Sequence, residues 1–183
     1  MAPRISLGLR RATTADIPFI MAVERIHGHD AFINRQSEDE HAAALSSPAF
    51  AYFLAIPGDG APAGFAILSE LADPHGNHCL KRIAVAEPGR GLGTPFFNAV
   101  TDWAFENTGV HRFWLHTLST NARARHVYAS QGFTEEGHLR EARPRPDGSR
   151  DSLVIMSMLR PEWQARLAAR GSMYEDKQGR RLA

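Results

Sequence analysis

The chain contains a single cysteine, Cys79, among its 183 residues. One thiol excludes an internal disulfide and a cysteine-rich metal site, and its strand-like surroundings read as those of a small buried hydrophobe. Long apolar runs are missing too. None approaches the roughly 18 residues needed to span a bilayer, and Arg4, Arg10 and Arg11 interrupt the N-terminal stretch where a signal peptide needs apolar residues. No membrane segment and a cytoplasmic location are therefore expected. Neither sign of charge is in excess: 21 Lys and Arg face 20 Asp and Glu, for a net charge of +1. Such a balance gives no bulk attraction to nucleic acid. Nine histidines are present without H-E-x-x-H or paired Cys/His spacing, so no metal is expected. The length and the 43% hydrophobic content suit one folded domain.

What is present is concentrated in "RIAVAEPGRGLGTPFF", from Arg82 to Phe97. A short apolar strand runs into a turn with Gly89, Gly91 and Gly93, where glycine accepts positive φ and leaves backbone N–H groups unshielded. Thr94 and Pro95 read as the N-cap and first residue of a helix. Helix N-termini carry unpaired amides and partial positive charge, so a phosphate is the natural guest of this turn. Two common phosphate motifs do not fit. The spacing is G-x-G-x-G, with no repeated βα pattern of a dinucleotide fold and no G-K-[ST] ending of a P-loop.

The rest of the chain orders itself around that turn. "ISLGLRRA" from Ile5 predicts a first strand, followed by a helix capped by Asp16 with Ile17, Ile20 and Met21 on one face. Ser37 and Glu40 form an S-x-x-E capping box for a second helix. "FAYFLAI" and "AGFAILSEL" around "PGDGAP" predict an antiparallel hairpin, and "CLKRIAV" continues the sheet. After the turn, Phe97, Val100 and Ala104 recur at helical spacing until Gly109, and "HRFWLHTL" resumes a strand. This is one βαβ unit whose two strands should run parallel, with the glycine turn at their carboxyl ends. Ser119 or Thr120 should cap a helix "NARARHVYASQ" that stops at Gly132, and "FTEEGHL" and "SLVIMSML" close the sheet. A short helix after Pro161 and a polar, mobile end are expected.

This order of elements resembles the GNAT superfamily of acetyl-CoA-dependent N-acetyltransferases over roughly Ile5 to Trp163. "LKRIAVAEPGRGLG" is similar to the family's strand and pyrophosphate turn, and "NARARHVYASQGF" to its N-x-x-A-x-x-x-Y-x-x-x-G-F helix through Asn121, Ala124, Tyr128, Gly132 and Phe133. "GSRDSLVIMSMLRPEW" resembles the branch that includes ribosomal-protein N-terminal acetyltransferases, a broad group that also holds enzymes for small amines. The resemblance implies an α/β (α+β) fold: a mixed, largely antiparallel sheet with a central splayed parallel strand pair, flanked by helices. It divides the chain into a GNAT acetyltransferase domain, residues 1–163, and a C-terminal helix and polar tail, residues 164–183.

Carried over by position, the resemblance implies that acetyl-CoA binds as cosubstrate. The backbone of Gly89, Arg90, Gly91, Leu92, Gly93 and Thr94 would hold its pyrophosphate, and Ile83, Ala84 and Val85 would lie beside its pantetheine arm. Asn121 would contact it through the side-chain amide. The family has Gln or Arg where Pro88 stands, so that side chain's contact is lost. Tyr128, seven residues after Asn121 and on the same helical face, takes the place of the general acid that protonates the leaving thiolate; the alternative is a core aromatic. His116 is a candidate base, because imidazole titrates near neutrality, and equally reads as a satisfied core histidine. His78 is a weaker candidate of the same kind. Glu24, His27, His29 and Asp30 are candidate acceptor contacts in a loop that otherwise reads as solvated. The basic segment "HLREARPRPDGSR" reads by default as a solvated hairpin tip. The implied activity is acetyl transfer to a primary amine of unknown identity by direct attack, and a homodimer is compatible with it. The alternative is a non-catalytic acyl-CoA-binding or sensing module, which would keep the glycines and Asn121 without depending on Tyr128.

Overall fold

The structure, a computed structural model, describes residues 7–26, 28, 35–58 and 60–179. Seven strands form one sheet in the order β1-β2-β3-β4-β5-β7-β6. β1 (Leu7–Arg11), β2 (Ala51–Pro57), β3 (Gly64–Ser69) and β4 (Asn77–Val85) pair antiparallel in succession. β5 (Arg112–Leu118) joins β4 in parallel, and β7 (Arg150–Leu159) and β6 (Thr134–Pro144) complete the sheet antiparallel. The mixed, largely antiparallel sheet expected from the sequence is present.

Helices cover both faces. α1 (Ile17–Glu24) and α2 (Glu38–Leu45) lie on one side, where Ile20 and Val23 pack against Tyr52, Leu54, Phe65 and Ile67. α3 (Gly93–Asn107) lies on the other and buries Phe96, Val100 and Ala104 against Phe53, Ala66, Leu80 and Leu115. β2 and β3 read as unbroken apolar runs because both of their faces are covered. α4 (Ala122–Ser130) and α5 (Arg160–Gly179) complete the α3 side. Trp163 stacks on Phe105 (5.1 Å, 17°) and donates to Asp102 at 2.9 Å. Arg160 donates to the carbonyls of Phe105, Thr108 and Val110.

Several local expectations are corrected. Asp16 does not cap α1; its carboxylate accepts from the Thr13 N–H (2.8 Å) within a preceding 3-10 turn and pairs with Arg10 (2.7 Å). Met21 is only half-buried, while Val23 and Glu24 complete the buried face. α3 starts at Gly93, before Thr94 and Pro95, so Thr94 is a first-turn residue and not the cap. It ends without a left-handed glycine: Thr108 turns extended, and its hydroxyl donates to the Ala104 carbonyl at 2.6 Å. α5 runs as one 20-residue helix through "GSMYEDKQG" where a mobile tail was expected. The Ser37–Glu40 capping box forms as predicted, at 2.7 and 3.2 Å. α4 also stops as predicted, with Gly132 at φ +91°, Gly132 N–H on the Ala129 carbonyl and Phe133 N–H on that of Tyr128.

Candidate active site

β4 and β5 begin side by side and then part. Their pairing runs only from Asn77, His78 and Cys79 to Arg112, Phe113 and Trp114. Beyond Trp114, β5 stays bonded to β7 along its whole length, and β4 stays bonded to β3. The sheet thus splits between them, leaving a cleft of about 880 Å³ lined by Ile83 to Val85 on one side and Leu115 to Leu118 on the other.

The split leaves particular backbone groups open. Ala86 N–H bonds the Ala63 carbonyl at 2.8 Å and Ala84 stands opposite Phe65, so these two residues turn their polar groups toward β3. Ile83 and Val85, one residue out of phase, turn theirs into the gap. Ala84 also lines the cleft, with its backbone engaged to β3.

At the head of the gap stands the glycine turn. Gly89 and Gly91 have φ of +91° and +77°, which other residues adopt only with strain. Leu92 is buried in the α3 core and fixes the turn from below. Phe96 N–H is the first in α3 to bond back, to the Leu92 carbonyl at 3.0 Å, so the amides before it are those a helix start leaves unpaired. Gly89, Gly91, Gly93 and Thr94 line the cleft. The Arg90 side chain is exposed and paired with Glu87 at 2.8 Å, leaving only its backbone to the turn.

α4 supplies the far wall. Its cap is Asn121 and not Ser119 or Thr120: the Asn121 Oδ1 accepts from the Ala124 N–H at 3.1 Å. The oxygen is thereby committed to the helix, leaving the amide nitrogen for the cleft, which Asn121 lines. Tyr128 lines the cleft seven residues later, its ring 5.0 Å from that of Phe97. Its hydroxyl has no hydrogen-bond partner among the described residues, and burial pushes its pKa up to about 12. A phenol so placed keeps its proton at neutral pH.

His116 lies on β5 just past the last β4–β5 pair, beside Trp114 with ring centroids 6.1 Å apart. It is exposed within the cleft and has no hydrogen-bond partner among the described residues, which overturns its reading as a satisfied core histidine. Crowding by protein atoms and then the Arg143 charge lower its pKa, against a smaller opposing effect of Glu70. His116 is therefore neutral at pH 7.

Other candidates lie elsewhere. His78 is buried, its Nδ1 3.2 Å from the Thr108 hydroxyl, away from the cleft. Glu24 is fully buried and bonded to Arg82 (2.8 Å), His41 (3.4 Å) and the Gln36 N–H (3.2 Å), so it is a structural carboxylate and not an open acceptor contact. His27, His29 and Asp30 fall outside the described residues. The hairpin segment read as a solvated tip instead brings Ala142, Arg143 and Pro144 to the cleft, and β4 adds Lys81 and Arg82. Arg82 was within reach of sequence reasoning, because alternation along "KRIAV" sets it apart from Ile83. Arg143 was not, since nothing local says how far a hairpin folds back.

The acetyltransferase (GNAT) family profile matches residues 20–133. A curated spermidine N(1)-acetyltransferase of Vibrio cholerae serotype O1 (strain ATCC 39315 / El Tor Inaba N16961) is 37% identical over 59 residues, 32% of this chain and 34% of that protein. The match thus spans about a third of the curated relative. Among solved structures, spermidine N-acetyltransferase from Vibrio cholerae in complex with CoA and spermine superposes with a TM-score of 0.77 at 24% identity, covering 86% of this chain and 98% of that one. The dodecameric structure of the Vibrio cholerae enzyme in an intermediate state gives 0.75 at 24% identity, covering 87% and 97%. At this identity the likeness speaks for the fold.

Proposed function

The chain belongs to the acetyltransferase (GNAT) family, and from that premise we propose that it transfers an acetyl group from acetyl-CoA to a primary amine. The observation that carries this reading is the β4–β5 split with the glycine turn at its head and Tyr128 on its wall. The turn's amides and the start of α3 suit a pyrophosphate, with Arg123 nearby on α4 to add charge. Ile83 and Val85 offer open strand N–H and C=O groups to the amides of the pantetheine arm, which lies along β4 as a short extra strand. The Asn121 amide nitrogen donates beside it.

The chemistry needs a neutral amine, a polarised thioester carbonyl and a proton for the departing sulfur. The Val85 N–H is a donor for the carbonyl oxygen. His116, directly or through water, takes the proton that the amine nitrogen loses as it bonds to the carbonyl carbon. Tyr128 gives its proton to the sulfur as the carbon–sulfur bond breaks. No enzyme thiol is needed, and Cys79 is buried in β4 with its pKa pushed up to about 12. A cytoplasmic setting is part of this reading.

The test is release of free CoA thiol on mixing the protein with acetyl-CoA and a panel of primary amines. Amine-dependent release that drops in Tyr128→Phe is expected. Acetyl-CoA binding with no release for any amine would favour the non-catalytic module instead.

A further inference from the structure

We propose that Glu70 is a positioning residue for acetyl transfer: its carboxylate holds the Trp114 indole at the fork of the sheet and thereby sets the ring of His116, two residues further along β5. The inference rests on the acetyl-transfer reading with His116 as base, and deepens it.

The fork has a definite place. Cys79 and Trp114 are the last pair between β4 and β5, and beyond them the two strands part. Ser69, the last residue of β3, stands opposite Cys79 on the other side of β4. Glu70 follows it and reaches across β4, so that its Oε2 accepts from the Trp114 Nε1–H at 3.0 Å. One side chain thus bridges three strands where the cleft opens. Trp114 in turn lies beside His116, ring centroids 6.1 Å apart and planes inclined at 39°. The Arg112 guanidinium, itself tied to Glu136, lies over the Trp114 ring at 5.7 Å. The indole is therefore held at its nitrogen by Glu70 and on its ring by Arg112, and the exposed His116 ring stands against it.

The backbone of Glu70 is strained to make this contact. Its φ is +64°, in the left-handed region where, among the described residues, Glu141 is the only other residue that is not glycine. The turn around it is fixed: Leu71 N–H bonds the Ala49 carbonyl at 3.1 Å, and Asp73 N–H bonds that of Glu70 at 3.0 Å. Glycine or asparagine would enter this conformation with less strain, and neither has the reach of a glutamate. The fold gains little in return, because Glu70 is exposed and a solvated hydrogen bond adds little stability. Strain of this kind is retained where a side chain is needed in one place.

The charge of Glu70 also reaches His116. Burial first and the Arg143 charge second lower the His116 pKa, and Glu70 opposes them. Lys81 and Arg82 on β4 and Arg123 on α4 line the same cleft. Replacing Glu70 alone leaves all of these side chains in place.

The experiment measures thiol release at saturating acetyl-CoA with butylamine, 4-aminobutyrate and 1,4-diaminobutane as probe amines. The His116 imidazole is followed by NMR titration, assigned through His116→Ala, and acetyl-CoA affinity and urea unfolding are read in parallel. Glu70→Ala and Glu70→Gly should lower kcat about tenfold, because a displaced base costs rate, with acetyl-CoA affinity unchanged. Glu70→Gly should not lower the unfolding midpoint, since glycine relieves the strained φ. Glu70→Gln keeps an oxygen for the indole and should restore most of the lost rate, while its missing charge moves the acidic limb of kcat/KM and the His116 titration to lower pH. In Trp114→Phe, which keeps an aromatic ring and loses the N–H, adding Glu70→Ala should lower kcat no further. Unchanged kcat and His116 titration in Glu70→Ala, a Glu70→Gln as slow as Glu70→Ala, or a rate loss that tracks loss of folded protein would overturn the inference while leaving acetyl transfer intact. Absence of acetyl-CoA binding, or binding without turnover of any probe amine, would overturn it together with the reading beneath it.

Discussion

Tyr128 rests on Phe97, ring centroids 5.0 Å apart and planes inclined at 39°. The contact ties two parts of the site that the chain separates by 31 residues: the helix that starts at the glycine turn, and the phenol on α4 that faces the cleft. Phe133, just after the glycine that stops α4, packs on the same Phe97 ring at 5.1 Å. The position of the hydroxyl is therefore set by a packed aromatic cluster.

Replacing Tyr128 by Phe removes one oxygen and keeps the ring contact. Urea unfolding should change by no more than about 1 kcal/mol, and acetyl-CoA affinity should hold within about twofold. The kcat should fall on the order of 10². A fully active variant would remove Tyr128 from the chemistry, and an unfolded one would make it a packing residue.

His116 offers a pH signature. Its pKa is lowered, so the neutral form needed by a base persists below the usual histidine value of 6.5. The acidic limb of kcat/KM should accordingly lie below pH 6.5. It should move upward when Arg143→Gln removes a nearby positive charge, and vanish with much of the rate in His116→Ala. A limb that stays in place in His116→Ala would assign it to another group.

Gly91 tests the turn. An added Cβ meets nothing within 4 Å, so the cost of Gly91→Ala is the φ of +77° and not a clash. About 1–2 kcal/mol of strain is expected, read as a weaker acetyl-CoA affinity or a lower unfolding midpoint. Gly91→Glu adds a negative charge where the proposed function puts the pyrophosphate and should weaken binding much further. Equal binding by both variants would remove the turn from the site.

Much of this was legible in the sequence, for physical reasons. The glycines of the turn, the Ser37–Glu40 box and the Gly132 stop are local devices, and each forms where the residues place it. Boundaries that depend on competition were harder. Thr94 has a capping side chain, but Gly93 can already turn helical, so α3 starts before it. The sequence marks Asn121 only as a ligand contact, whereas its Oδ1 also closes the first turn of α4. The tertiary part was not legible. Glu24 sits on α1 and meets Arg82 across 58 positions, and Arg143 reaches the cleft only because β6 and β7 fold back over it.

Glu24 itself yields a stability prediction. Burial alone would raise its pKa, but the bonds from His41 and the Gln36 N–H and the charge of Arg82 outweigh it, and the net shift is downward. A carboxylate with a lowered pKa stabilises the fold above its unfolded value and loses that contribution as pH falls through the folded one. Glu24→Ala should destabilise the protein at pH 7 by about 3–5 kcal/mol, because Arg82 loses its carboxylate and keeps only the neutral Gln36 side-chain oxygen. The difference from the parent should shrink below about pH 4.5. Urea unfolding at pH 7 and pH 4 reads both statements, and a constant difference would contradict them.

The most direct test of the whole account is calorimetric titration of the purified protein with acetyl-CoA, with NADH as the comparison ligand and Gly91→Glu as the control protein. Saturable binding of acetyl-CoA at one site per chain, lost in Gly91→Glu and absent for NADH, is the predicted result. Binding of NADH in preference, no binding of either ligand, or acetyl-CoA binding that survives Gly91→Glu unchanged would contradict it.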